Sequence, residues 1–219
     1  TCFMALLSGM GGVRQLVASQ MTPHTNVQWR LKAEAVLHLD SIFKVLHVKG
    51  LTTAAGGSLG GRTIDELLKA FPVPEDWQGL GPVCQRIYAI FGPVFKPENL
   101  NLATRGALGE MFGFANLTAF EQITKMMAAG VIVDRNGDDT YMPQVDRLKL
   151  PIALIHGSDN AFLHPKGSER TFLWLRENNP PAFYTRHVIP TYSHLDCFIG
   201  KNAAADVFPV IQAELERFN

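Results

Sequence analysis

Apolar positions along this chain follow two patterns. Near both ends, short apolar runs stop abruptly at glycine or proline, as buried strands do. Through the middle they recur at helical spacing. Residues 2–10 predict a short apolar helix ended by Gly11–Gly12, and Val13–Met21 (VRQLVASQM) predicts a buried strand. Pro151–His156 (PIALIH) predicts a second strand, stopped by Gly157, and Phe183–Ile189 (FYTRHVI) a third, closed by Pro190. A helix over Lys166–Glu177 lies between the last two. Ala203–Phe218 closes the chain as an amphipathic helix with Val207, Ile211 and Leu215 on one face. Strand, helix, strand, helix is the signature of a parallel sheet with right-handed crossovers.

The stretch 22–149 reads as mainly helical, with periodic segments near 28–48, 63–71, 82–92, 99–112 and 116–129. Pro72, Pro74, Gly79, Gly81 and Pro82 punctuate it. VIVDRNGDDTYM predicts a hairpin, with Asn136–Gly137 supplying the positive-φ turn. Its acidic tip lacks the glycine position and closing glutamate of a calcium loop.

Composition narrows the class. The 219 residues are 47% hydrophobic, enough for a sizeable core in one domain or in a domain with a large insertion. Lys+Arg 20 against Asp+Glu 20 gives a formal net charge of zero and no electrostatic case for nucleic acid or an acidic membrane surface. The three cysteines, Cys2, Cys84 and Cys197, form no CxxC pair, so reduced thiols in a cytoplasmic protein are expected. The apolar run Phe3–Met10 lacks a basic leader and is too short to span a bilayer, so neither a signal peptide nor a membrane span is expected. His38 and His47 fall in helical segments and His187 within a strand. None has ligand spacing to another, and no metal or cofactor is expected.

The chemistry gathers in the tail. HGSDN (156–160) ends one predicted strand and TYSHLD (191–196) follows the next. Reactive groups in open parallel sheets collect at the carboxyl ends of strands, so Asp159 and His194 project from neighbouring ends where they can meet. A carboxylate there can fix an imidazole tautomer while the other ring nitrogen takes a nucleophile's proton. Two loop residues that merely cap helix ends would leave the same trace.

The segment PIALIHGSDNAFLHP…LRENNPPAFYTRHVIPTYSHLDCFIGKNAAADVFPVI resembles two groups of α/β-hydrolases. One is the gastric and lysosomal acid lipases, with an HLDF-like histidine motif. The closer is the hydrolase-like C-terminal region of large bacterial cholesterol-oxidase-like proteins, whose acid loop reads HGAEN and whose histidine loop reads YGHIDC. The likeness extends through PVCQRIYAIFGPVF, LNLATRGALGEMFGFANLTAF and VDRLKLPI, and so covers nearly the whole chain. It implies a partial α/β-hydrolase fold: a few-stranded parallel core from 1–21 and 150–219, and a helical lid with a small hairpin from 22–149. It also implies Asp159 as acid, in place of that group's Glu, and His194 as base.

The resemblance places the nucleophile elbow a few residues before Thr1, together with the earlier strands and the oxyanion-hole loop. Within the chain, GGSLG at 56–60 matches GxSxG around Ser58, in the order Ser58…Asp159…His194. Its context is wrong, because an elbow needs a strand before it and a helix behind it, and a glycine-rich loop meets so degenerate a pattern by chance. Ser58 is therefore a weak nucleophile candidate, and Cys2, Ser8 and Ser193 are weaker. Phe112, Phe114, Phe120 and Tyr141 could line an acyl pocket or simply fill a core.

Two functions remain in view. One is a carboxylic ester hydrolase acting on small-molecule esters of short to medium acyl length. The other is a catalytically empty hydrolase module that binds a hydrophobic ligand or a partner chain; alternatively, activity belongs to a longer polypeptide. An α/β-hydrolase sheet has about eight strands, so Val13–Met21 would form an exposed edge here. A homodimer covering that edge is expected.

Overall fold

The computed structural model describes residues 2–26, 50–52 and 74–218. Strands β1 (Leu16–Ser19), β4 (Ile152–Gly157) and β5 (Tyr184–Ile189) form a parallel sheet in the order β1-β4-β5. β1 runs beside the first residues of β4, Leu16 opposite Ile152, and β5 pairs with β4 along its whole length, Ile152 opposite Tyr184 through Gly157 opposite Ile189. Every residue of β4 is buried, which is why IALIHG reads as a continuous apolar run.

Helices cover both faces, giving an α/β class architecture. On one face Ile152, Leu154 and Tyr184 pack with Phe3, Leu6 and Leu7 of the helix Cys2–Leu7 and with Leu175 of the helix Lys166–Asn178. On the other, Ile155 and Ile189 pack with Cys197, Ala203 and Val207. A separate cluster of Trp77, Cys84, Ile87, Val94, Phe95, Leu100 and Leu108 forms the core of the middle region and leans on Phe162 and Leu195 of the tail.

Several expectations need correction. The first strand spans only Leu16–Ser19, because Gln20 turns into the left-handed region at φ 66°. The C-terminal helix breaks into Ala203–Asp206 and Phe208–Glu216. Pro209 cannot continue a helix, and it sits in the first turn of a new one. Val207 is fully buried and Ile211 partly so, but Leu215 at the end of the expected face is exposed.

The predicted hairpin keeps its turn and loses its strands. Gly137 has φ 97°, as expected, yet Val131 bridges His24 and the Ile132 amide donates to Pro23 O, so the flank pairs elsewhere. Asp134 closes the loop instead, its Oδ1 accepting from the amides of Asn136, Gly137 and Asp138. In the middle region the helices Pro82–Phe91, Leu102–Met111 and Leu117–Ala129 match the predicted periodicity. A short antiparallel pair, β2 (Gly50–Thr52) with β3 (Phe114–Asn116), was not expected there. The helical segments predicted near 28–48 and 63–71, with His38, His47 and Ser58, lie outside the described residues.

Candidate functional site at the strand ends

The three parallel strands deliver Gln20, the loop Gly157–Asn160 and the loop Tyr192–His194 to one end of the sheet. The last two are in backbone contact. The amide of Ser158 donates to Ile189 O at 2.8 Å and that of Asp159 to Tyr192 O at 2.9 Å. A Cβ on Gly157 would stand 2.3 Å from Tyr192 O and 2.4 Å from Ser193 O, so only glycine allows this approach. Thr191, at the bend after β5, is held at φ 68°, a strained setting for a β-branched residue.

Asp196 anchors the histidine loop. Its carboxylate is fully buried and accepts the Ser193 amide on both oxygens and the side-chain amide of Asn99. Burial pushes its pKa up, against those bonds. The amide of Leu195 donates to Val94 O, and that of Lys201 to Asn99 O, both at 2.7 Å. The middle region is thereby stitched to the loop that carries His194.

The expected contact between Asp159 and His194 is not made. The Asp159 carboxylate turns outward, with Oδ2 2.8 Å from Lys96 Nζ and Oδ1 2.6 Å from Ser158 Oγ. Those two bonds hold it below the usual carboxylate range. Lys96 also reaches Glu98. The group beside His194 is instead Asn160, which sequence reading passed over: its Nδ2 lies 3.2 Å from His194 Nδ1.

Asn160 is 1% exposed and sits in a dense polar cluster. Its Oδ1 accepts the Leu163 amide at 2.9 Å, and its Nδ2 is 3.0 Å from Gln20 Oε1. Gln20 Oε1 also accepts the Gly157 amide at 3.1 Å. His156, itself buried, places Nε2 2.7 Å from Leu163 O and 3.3 Å from Asn160 Nδ2. Burial lowers the pKa of His156 to about 4, and burial with the neighbouring His156 does the same to His194. The edge of one ring faces the other between Phe162 and His194, with centroids 5.4 Å apart. Among the described residues nothing bonds His194 Nε2.

The buried thiols offer no nucleophile. Cys197 is pushed up to about 12 by burial and by Asp196, and Cys84 is raised by burial. Cys2 is exposed at the end of the chain. His187 pairs with Glu214 at 2.7 Å, a structural contact between β5 and the last helix. Among the described residues no group of three His, Cys, Asp or Glu could hold a metal, and no helix is long and apolar enough to cross a membrane.

No protein-family model and no curated protein matches the chain. Among solved structures it is similar to a monoacylglycerol lipase of Paleococcus ferrophilus, at 11% identity and TM-score 0.46 over 98% of this chain and 63% of that one. It is also similar to the thioesterase domain from the curacin biosynthetic pathway, at 15% identity and TM-score 0.36 over 91% of this chain and 58% of that one. The chain thus spans under two thirds of the length of the solved structures it matches.

Proposed function

We propose that this chain is the acid–base part of an α/β-hydrolase and hydrolyses small carboxylic esters slowly, with His194 as its base. The observation that carries the reading is the placement of His194. It stands at the carboxyl end of β5, with Nδ1 held by a residue from the end of β4 and Nε2 without a partner among the described residues. Phe162, partly buried and with its ring against that of His194, supplies an apolar wall suited to an acyl chain.

In this reaction a nucleophile's hydroxyl passes its proton to Nε2 as it attacks the ester carbonyl. The alkoxide leaves with that proton, and a water activated in the same way releases the acid from the acyl-enzyme. Ser58 is the candidate nucleophile that the sequence offers. Stoichiometric labelling of one serine by a fluorophosphonate, located by peptide mapping and lost in His194→Ala, is the expected result. Full labelling that persists in His194→Ala overturns the assignment of the base, and no labelling at all removes the serine hydrolase.

One observation favours the second reading, a ligand-binding module without catalysis: an amide stands at Nδ1 of His194 where a carboxylate would stabilise an imidazolium. Binding of a fatty acid without ester turnover is its signature.

A further inference from the structure

The protons in the buried cluster can be placed from backbone groups whose roles are fixed. The Gly157 amide can only donate, so the Gln20 atom it meets is the carbonyl oxygen Oε1. The Leu163 amide can only donate, so the Asn160 atom it meets is Oδ1, and the other arm of that side chain is the NH2 group. Leu163 O can only accept, so His156 Nε2 carries a hydrogen. The His156 Nδ1 that remains is buried without a partner, as suits a bare lone pair. Asn160 Nδ2 and His156 Nε2 are then both donors, and their 3.3 Å approach is not a hydrogen bond. The two N–H bonds of Asn160 are left for Gln20 Oε1 at 3.0 Å and His194 Nδ1 at 3.2 Å.

From this we infer that Asn160 is the positioning residue for His194 and holds it with Nδ1 as acceptor and the proton on Nε2. The resting imidazole then offers its free side as a hydrogen-bond donor, suited to a carbonyl or carboxylate oxygen of a ligand. It is the wrong tautomer for a base. To accept a proton at Nε2 the ring must first move its own proton to Nδ1, against the Asn160 N–H. Burial, with the neighbouring His156, lowers the pKa of His194 to about 4, so the ring that Asn160 holds is neutral at neutral pH. The inference deepens the ester-hydrolase reading and rests on it for its bearing on rate. It explains why hydrolysis should be slow.

The test reads the tautomer directly. Long-range 15N–1H correlation spectra of the 15N-labelled protein at neutral pH should give His194 a pyridine-type Nδ1 and a protonated Nε2. A protonated Nδ1 in the unaltered protein overturns the inference, and this measurement needs no variant to fold. Asn160→Asp should move the proton to Nδ1, raise the His194 pKa by about one to three units and raise ester turnover at least about tenfold. A folded Asn160→Asp protein that keeps the Nε2 proton overturns it as well. If neither form hydrolyses esters while the tautomers change as stated, the positioning role stands and the hydrolase reading falls.

Discussion

The side-chain nitrogen of Asn160 lies 3.2 Å from Nδ1 of His194, while the carboxylate of Asp159, one residue earlier, is bonded to Lys96 at 2.8 Å. Adjacent residues in one loop thus face opposite ways. The Asp159 amide bonds Tyr192 O, which directs its side chain outward, and the Asn160 amide turns back to Gly157 O at 3.3 Å.

Asp159→Asn is therefore expected to leave ester turnover within about threefold of the parent, because the group removed acts on Lys96 and not on His194. Steady-state kinetics on a nitrophenyl ester checks this. A loss beyond about a hundredfold would mean that Asp159 swings to His194 during the reaction.

Much of the fold was legible, and the reason is physical. β4 is buried throughout and β5 is buried or half-buried except at Val188, so apolar runs bounded by glycine and proline mark them within a residue or two. The strand-end location of the site followed from that. What could not be read is which of Asp159 and Asn160 points inward, since loop backbone bonds decide it. Gln20 was equally invisible: it enters the site through its positive φ and through parallel pairing of β1 with a strand far along the chain. The NG turn at 136–137 was legible, but its flanks were not, because Ile132 finds a partner in Pro23.

Gly157→Ala should cost about 3 kcal/mol or more, since the added Cβ meets two backbone oxygens that cannot retreat without moving the histidine loop. Urea denaturation checks this. A change within about 1 kcal/mol would contradict the tight approach.

His24, His156 and His194 are all lowered to about 4, in each case chiefly by burial. Each takes up a proton near 6.5 when unfolded but resists it when folded, so stability is fully present above that pH and falls as the pH drops from 6.5 toward 4. For His156, which is 1% exposed, a shift of this size corresponds to about 3 kcal/mol. Thermal melts across that window should show the decline. Constant stability down to the lower limit would contradict the buried neutral state.

The outer edge of β1 has no strand beside it among the described residues. Leu16 and Gln20 donate toward β4, so the Val17 amide between them points the other way. If two copies join along this edge, sedimentation should find a dimer, and Val17→Pro should convert it to a folded monomer. A parent protein that is monomeric at all concentrations removes the dimer.

The backbone seam at Gly157 continues the hydrogen bonding of the sheet beyond the ends of its strands, through Ser158 to Ile189 and Asp159 to Tyr192. The loops bearing Asn160 and His194 are consequently expected to open to solvent only when the sheet itself does, and amide exchange at 158 and 159 should be as slow as in β4. A ligand arriving here meets groups already fixed in place. It gives up little chain entropy of the protein on binding, and the selectivity of the site lies in its shape and proton pattern rather than in a movement it induces.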